Sequence, residues 1–350
     1  MSKNRLRLPK IEPTPEWAYV NRRQFLAQLS LGGAVIAGAT IGCGQAHAEE
    51  KPAAAAATTG EKKEAKLLPE HEHPAVRPGI MSADIHALFP AKRNGNYKLP
   101  GKNDKLTDDV SPHIYNNFYE FTTDKERVWR LTKKFKVEPW TIEITGECGK
   151  PRKFSIDDIF KLLGKDQEER TYRFRCVEAW AMDVPWTGIE LGKLLKLVEP
   201  KDSAKFVRFF TAQDKEGMPG IELQHWYPWP YFEGLRMDEA MHELTLLGTG
   251  LYGRPLPKQN GAPFRIVVPW KYGYKSIKSI VKIELVEKQP TTFWEKLAAD
   301  EYPFESNVNP HIPHPRWSQA RERVLPDMEV RPTLLYNGYG DYVAKLYKKT

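Results

Sequence analysis

The order of strand-like and helix-like segments limits the folds open to this chain more than any other feature. Residues 140–146 alternate apolar and polar side chains and end on a glycine, which is typical of a half-buried strand. Similar patterns predict further strands at residues 171–176, 205–211, 264–268 and 280–286. Helical patterns are short and lie at residues 154–159, where Ser155 is the expected cap, 191–197 and 237–246. Because no regular strand–helix–strand period occurs, the chain is predicted to be α+β rather than a Rossmann fold.

Short motifs of several cofactor classes are absent from the sequence. There is no P-loop, no HExxH zinc motif and no CxxCH haem site. The formal net charge is +8, but no run of five basic residues occurs, so nucleic acid is not an expected partner. If the protein is a redox enzyme, its electrons must therefore come from, or go to, a separate protein.

The N-terminus has the parts of an export signal. Arg22 and Arg23 open a twin-arginine pattern, an apolar run covers residues 27–44, and Ala46-His47-Ala48 offers a cleavage site. A membrane-spanning helix would be more apolar, since this run contains five glycines. Residues 1–48 are therefore predicted to be a twin-arginine signal peptide that directs a folded, cofactor-loaded protein to the periplasm. Lipidation of Cys43 is left open.

Two further regions follow the predicted signal peptide. Residues 49–70 are rich in alanine, lysine and glutamate and are predicted to be a flexible tether. Residues 71–350 are predicted to form one domain, which begins with an extended, proline-rich arm.

Cys176 is the main candidate for chemistry. The chain has three cysteines, and Cys43 lies in the predicted leader, which leaves too few for a disulfide framework or a zinc site. Cys176 follows a predicted strand and lies beside Arg173 and Arg175, whose charges would favour a thiolate. A thiolate is a ligand for soft or high-valent metals. The alternative is a small buried apolar residue.

Several long motifs, in order, resemble one family. They are Asn116-Asn117-Phe118-Tyr119-Glu120-Phe121, Arg175-Cys176-Val177-Glu178-Ala179-Trp180, Val184-Pro185-Trp186 and Gln259-Asn260-Gly261-Ala262-Pro263. The sequence is similar to the molybdopterin-binding catalytic subunits of periplasmic protein-methionine-sulfoxide reductases, within the sulfite oxidase fold superfamily. The resemblance covers residues 111–347. It implies an α+β molybdopterin-binding domain with mixed β-sheets and short helices.

The resemblance also implies roles for individual residues. Cys176 would be the protein thiolate on molybdenum, in a molybdenum–molybdopterin cofactor. The implied cofactor contacts are Asn116, Tyr119, Glu120, Thr211, Asn260, Arg265, Ser276, Ile277 and Lys278. The implied partners are oxidised periplasmic proteins as substrates, the twin-arginine export machinery, and a membrane-bound haem b subunit that draws electrons from quinones and forms a heterodimer with this chain.

Residue chemistry supports these implied contacts. An asparagine amide both donates and accepts, as the edge of a pterin requires. A buried phosphate requires cations and backbone amides. Four basic residues lie within 14 positions, at Arg265, Lys271, Lys275 and Lys278. The alternative is an ordinary solvated loop between two strands.

Glu178 lies two residues after Cys176. It is a candidate proton donor for the reaction, and the alternative is a salt bridge to Arg173 or Arg175.

Two other functions stay open. A relative of the same fold could oxidise sulfite or act on another small oxo-substrate, although a sulfite site would need additional arginines. A secreted binding module without a cofactor is the other class. The aromatic segment 225–232 departs from the family pattern, and it forms either a wall for a thioether-like side chain or a rigid loop.

Overall fold

The computed structural model describes residues 73–80 and 82–348. The predicted signal peptide and tether, residues 1–48 and 49–70, lie outside this range. The strands are β1 Thr141–Gly146, β2 Arg152–Ser155, β3 Glu168–Arg175, β4 Trp180–Glu190, β5 Phe206–Thr211, β6 Phe232–Arg236, β7 Leu246–Leu251, β8 Arg254–Pro255, β9 Arg265–Val267, β10 Ile280–Val286, β11 Arg321–Val324 and β12 Glu329–Pro332.

The helices are short. The α-helices are Ala83–His86, Ser111–Ile114, Val128–Leu131, Ile156–Leu163, Leu191–Lys196, Gly220–Leu223, Met237–Ala240, Phe293–Ala298 and Gly340–Val343. The 3-10 helices are Pro74–Val76, Thr132–Lys134, Gly164–Asp166, Lys258–Asn260, Gly273–Lys275, Leu335–Gly338 and Ala344–Tyr347. The described residues contain no helix that is long and apolar enough to cross a membrane.

Two mixed sheets organise the molecule. The five-stranded sheet has the order β2-β1-β10-β5-β6, and only its β1–β10 pair is parallel. The seven-stranded sheet has the path β12-β11-β4-β7-β8, with β3 paired to β4 and β9 paired to β7. In it, only β11 and β4 are parallel. Mixed sheets with short helices confirm the predicted α+β class.

Most predicted elements are present, and one is wrong. Ser155 caps its helix, because its hydroxyl accepts from the Asp158 amide at 3.0 Å. The helix predicted over 237–246 ends at Ala240, and β7 begins at Leu246. The Thr245 hydroxyl donates to the Glu239 carbonyl at 2.6 Å and satisfies a carbonyl that a longer helix would have used. The apolar spacing of residues 237–246 is compatible with a helix, but the chain leaves the helix after Ala240 and turns into β7.

Candidate active site

Cys176 lies in the tight turn that joins β3 to β4. Its backbone amide donates to the Trp180 carbonyl at 2.9 Å, and its carbonyl accepts from the Ala179 amide at 3.1 Å. Ala179 adopts a left-handed conformation with φ of 65°, which a non-glycine residue adopts at a cost. The turn places the thiol at the end of a buried strand, where the sequence predicted it.

Residues far along the chain hold this turn in place. Trp317 Nε1 and Gln319 Nε2 both donate to the Val177 carbonyl, each at 2.8 Å. The side-chain oxygen of Gln319, Oε1, accepts a hydrogen bond from Arg175 Nη2 at 2.8 Å. Arg175 also donates to the carbonyl of Cys176 itself. The backbone on both sides of the thiol is therefore anchored by buried hydrogen bonds.

The two arginines do not produce the thiolate that the sequence predicted. Arg173 Nη2 and Arg175 Nε bind the two oxygens of buried Glu322 at 2.6 and 3.0 Å. Their charges are therefore compensated by that carboxylate. Burial, with the nearby Glu178 carboxylate, raises the pKa of the Cys176 thiol, while Lys125 and Arg175 oppose the shift less strongly. The protein alone thus favours a neutral thiol.

Glu178 is paired with a lysine and not with either arginine. Lys125 Nζ lies 3.0 Å from Glu178 Oε2, which also accepts from Trp180 Nε1 at 3.0 Å. Burial would raise the pKa of Glu178, but Lys125, Trp180 and Asn117 outweigh it and hold the pKa below its ordinary value. The salt bridges predicted from Glu178 to Arg173 or Arg175 are therefore wrong, because both arginines bind Glu322.

Asn117 links the carboxylate to the thiol. Its Nδ2 lies 3.4 Å from Cys176 Sγ and 3.2 Å from Glu178 Oε2. Cys176 Sγ and Glu178 Oε2 are 3.7 Å apart. Cys176, Glu178, Asn117 and Lys125 therefore form one cluster of thiol, amide and ion pair at this turn.

Two buried asparagines meet on one backbone carbonyl. Asn116 Nδ2 and Asn260 Nδ2 donate to Pro112 O at 2.9 and 2.8 Å. Asn116 is 5% exposed and Asn260 1%, yet Oδ1 of each has no hydrogen-bond partner among the described residues. Buried acceptors normally have a donor, so this pair provides two acceptors for a bound group.

The four basic residues divide into two kinds. Lys271 Nζ lies 2.6 Å from a Glu239 oxygen, and Lys275 Nζ lies 2.7 Å from a Glu233 oxygen. Both are therefore internal ion pairs, and the hypothesis that they bind a phosphate is wrong. Arg265 and Lys278 differ, since neither has a carboxylate at ion-pair distance within residues 73–80 and 82–348.

Arg265 is a buried cation held only by neutral groups. Its guanidinium donates to the carbonyls of Asn260 and Ser276 at 2.9 and 3.0 Å. Burial lowers its pKa to about 9. Burial, and then the charge of Arg265, also lowers the pKa of Lys278. A buried guanidinium without a carboxylate partner, close enough to a lysine to lower its pKa, favours the binding of an anion.

Glu120 and Thr211 adjoin this cationic pair. Burial raises the pKa of the Glu120 carboxyl, and Lys278 and the Thr211 hydroxyl oppose the shift. Thr211, the last residue of β5, donates to the Lys278 carbonyl at 2.9 Å. The charge of Lys278 also interacts with Cys176. The cationic pair and the cysteine turn are therefore electrostatically connected.

The remaining residues implied by the resemblance have different surroundings. Ser276 is fully buried, and its hydroxyl accepts from the Val268 amide at 3.0 Å. Ile277 is a core residue whose carbonyl accepts from the Ile266 amide at 2.8 Å. Tyr119 is half-buried, and its ring contacts those of Tyr227 and Trp294.

Known proteins are similar to this chain over nearly its whole length. Residues 130–294 match the family model described as the oxidoreductase molybdopterin binding domain. A protein-methionine-sulfoxide reductase catalytic subunit, MsrP, from Xanthomonas axonopodis pv. citri is 44% identical over 98% of this chain and 95% of its own length. The chain belongs to the MsrP family. An MsrP from Campylobacter jejuni is 50% identical over 77% of this chain and 88% of its own length.

Membership of the MsrP family confirms the resemblance and the molybdopterin type of domain. Sequence reasoning named the cysteine and the carboxylate of the active-site turn, but it missed Asn117, Lys125, Trp317 and Gln319. Asn117 stands inside the first quoted motif, which is a signal that could have found it. Trp317 and Gln319 lie in another segment that resembles the family, residues 314–320, but nothing local marks Lys125, because its contact with the turn depends on the folded chain.

Proposed function

We propose that this protein reduces methionine sulfoxide in oxidised proteins to methionine, with a molybdenum–molybdopterin cofactor bound between the Cys176 turn and the Arg265–Lys278 pair. The observation that carries the proposal is the combination of a buried thiol outside any disulfide with two nearby cations that have no carboxylate at ion-pair distance among the described residues. The relatives named above carry the same activity in their names.

The residues present fit the cofactor. Asn116 Oδ1 and Asn260 Oδ1 are buried acceptors that no donor of the described residues satisfies, as the donor edge of a pterin requires. Arg265 and Lys278 would hold the phosphate, and the backbone of Ser276 and Ile277 would lie beside it. Tyr119 and Glu120, from the motif of residues 116–121, and Thr211, from the end of β5, would be the other cofactor contacts. Cys176 Sγ would bind molybdenum, and metal binding would displace the proton that the buried thiol otherwise keeps. When bound, the metal centre supplies the exchange of two electrons and one oxygen atom.

The side chains near Cys176 supply protons for the reaction and hold the proton-carrying carboxylate in place. Reduction of a sulfoxide to a thioether and water consumes two protons. Lys125 Nζ holds a proton 3.0 Å from Glu178 Oε2, which itself lies 3.7 Å from Cys176 Sγ. The ionised Glu178 carboxylate is therefore a relay for a proton from Lys125 or water rather than the original acid, and Asn117 fixes its orientation.

Sulfite oxidation is the second candidate, and the arginines disfavour it. A pocket for the sulfite dianion requires cations that are free to bind it. Arg173 and Arg175, the arginines nearest Cys176 in sequence, both bind Glu322. Steady-state assays with purified, molybdenum-loaded protein distinguish the two. We expect reduction of free and protein-bound methionine sulfoxide with a dye as electron donor and no sulfite oxidation; the reverse pattern would overturn the proposal.

The proposed location and partner follow from the leader and from the single candidate redox site. The protein is exported by the twin-arginine route to the periplasm, and a membrane haem b subunit linked to quinones passes electrons to it. Without that subunit, dye-driven activity should persist while repair of oxidised proteins in the cell fails. Unimpaired repair in such a strain would contradict the partner.

A further inference from the structure

A cleft opens beside the active-site turn. Its volume is about 470 Å³, which lies within the range of roughly 300–1,000 Å³ found for ligand-binding clefts. Val177, the residue between Cys176 and Glu178, lines it, together with Gln319, which donates to the Val177 carbonyl. A molecule in this cleft would therefore lie against the back of the catalytic turn.

The rim of the cleft is apolar and exposed. Ile312 and Leu335 line the cleft and are 65% and 44% exposed. Tyr272, Phe304 and Pro313 extend the same lining inwards. Exposed apolar side chains that share one concave surface are typical of a site for a partner molecule.

His314 adds a polar group to this apolar lining. Its side chain is 1% exposed, and its Nε2 has no hydrogen-bond partner among the described residues. Its Nδ1 accepts from the Arg316 amide at 3.2 Å, which places the proton of the neutral ring on Nε2. The nearest carboxylate oxygen, Glu301 Oε2, is 3.6 Å from Nε2 and already binds Arg316 Nη2 at 2.7 Å.

The same histidine connects the cleft to the active-site turn. The ring of His314 stacks on that of Trp317 with centroids 3.8 Å apart. Trp317 Nε1 donates to the Val177 carbonyl at 2.8 Å. The buried Nε2–H donor thus has a fixed position relative to Cys176.

We propose that this cleft binds the residues that flank the oxidised methionine in a protein substrate. An apolar side chain of the substrate packs against Ile312 and Leu335, and a substrate peptide carbonyl accepts from His314 Nε2. This inference rests on the proposed function and adds to it a preference for methionine sulfoxide with apolar neighbours. Free methionine sulfoxide has no flanking residues to occupy the cleft, so its KM would not depend on the cleft.

The kinetic test uses three substrates and two matched variants. The substrates are N-acetyl-methionine sulfoxide amide, Gly-Gly-Met(O)-Gly-Gly and Phe-Phe-Met(O)-Phe-Phe. Ile312→Glu places a charge on the cleft rim, and Leu223→Glu is the control, since Leu223 is 71% exposed and does not line the cleft. For Ile312→Glu we expect KM for the phenylalanine peptide to rise about tenfold with kcat unchanged, a loss of ~1.4 kcal/mol of binding. KM for the other two substrates should not change.

A second variant tests the polar group. His314→Phe keeps a ring against Trp317 and removes the Nε2–H donor. We expect KM to rise for both peptides and not for the amino-acid amide. If Ile312→Glu and Leu223→Glu behave alike with every substrate, the proposed cleft is wrong. It is also wrong if Ile312→Glu slows only the reduction of the enzyme by its electron-donor protein, because the cleft would then serve that protein.

A binding measurement separates this inference from the proposed function. Calorimetric titration with the unoxidised peptide Phe-Phe-Met-Phe-Phe requires no turnover. Weaker binding to Ile312→Glu than to Leu223→Glu supports the cleft even if the wild type reduces no sulfoxide, a result that would refute the proposed function alone. Equal affinities would overturn the cleft whatever the activity.

Discussion

At the scale of single residues, the active-site turn depends on hydrogen bonds from outside it. Gln319 is 2% exposed and makes one bond to each side of Cys176, accepting from Arg175 and donating to Val177. The Arg175 side chain in turn donates to the Cys176 carbonyl, so Gln319 supports the turn through the Val177 carbonyl and through the Arg175 side chain. We therefore regard Gln319 as a positioning residue, which acts through the turn and not on the substrate.

Gln319→Met tests this role. The substitution keeps the length of the side chain and removes both hydrogen bonds. We expect the molybdenum content to stay close to that of the wild type, the molybdenum(V) electron paramagnetic resonance signal to shift or broaden, and kcat to fall about tenfold, equivalent to ~1.4 kcal/mol. KM should change little.

Gln167→Met is the matched control for this experiment. Gln167 is 8% exposed, donates to the Leu88 carbonyl at 3.2 Å and accepts from the Thr249 hydroxyl at 2.7 Å. Both substitutions should lower the free energy of unfolding by about 1–3 kcal/mol, because each removes two buried hydrogen bonds. An unchanged resonance signal and kcat in Gln319→Met, or equal changes in the control, would contradict the positioning role.

The residues of the turn differ in how far the sequence could reveal them. Cys176 was predictable through the resemblance of its motif to one family, whereas the cysteine by itself was equally explained as a small buried apolar residue. The raised pKa of its thiol was not, because it comes from burial and from the Glu178 carboxylate in the folded chain. The ion pairs of Arg173 and Arg175 with Glu322, which compensate the two charges, also have no local signal in the sequence.

At the scale of elements, the turn after the 3-10 helix Lys258–Asn260 brings the cofactor residues together. Gly261 ends that helix with φ of 100°, a conformation that favours glycine. A Cβ there would lie 2.8 Å from Lys278 Cβ and 3.2 Å from Arg265 Cβ. The lack of a side chain is therefore what allows the two cations to approach the asparagine turn.

Gly261→Ala should damage this arrangement. We expect a loss of about 1–3 kcal/mol in the free energy of unfolding, from the strained backbone and from the contact with Lys278. The content of molybdenum and pterin should fall as well, because Arg265 and Lys278 must move apart. Denaturant titration and metal analysis of the purified variant measure the two effects.

Gly95→Ala provides the comparison, since a Cβ at Gly95 would meet no atom within 4 Å. It should leave stability and cofactor content near those of the wild type. If both glycine variants retain the cofactor equally, Gly261 is not needed for the site.

Elements were predictable where the pattern is local. The strands at residues 141–146 and 280–286 alternate, and their positions agree with prediction. The central strand β4 was missed, because it contains Asp183 and Pro185, which argue against a buried strand. Asp183 is tolerated because Arg331, from β12, binds its two oxygens at 2.6 and 2.8 Å. That compensation exists only in the folded chain.

At the scale of the whole molecule, the proposed function requires cofactor insertion before export. Replacement of both Arg22 and Arg23 by lysine should leave unprocessed precursor in the cytoplasm, because the twin-arginine route reads that pair. Fractionation and immunoblotting measure the distribution. Normal processing and export of this double variant would rule out the twin-arginine leader.

The central claim is that Cys176 binds molybdenum, and the second described cysteine provides its control. Cys148 is 4% exposed and lies just after β1, and burial raises the pKa of its thiol. Cys148→Ser should cost local packing only. Cys176→Ser replaces a soft ligand with a hydroxyl that ionises far less readily. Asn116, Asn260, Arg265 and Lys278 would remain to hold the pterin.

The most direct measurement compares both serine variants by molybdenum(V) electron paramagnetic resonance and by sulfoxide reductase activity. We expect Cys148→Ser to keep the wild-type signal and rate. We expect Cys176→Ser to lose the wild-type signal and at least about 99% of the activity, a rise in barrier of ~2.7 kcal/mol or more. A wild-type signal and rate in Cys176→Ser, or their loss in Cys148→Ser, would contradict this assignment of the active site.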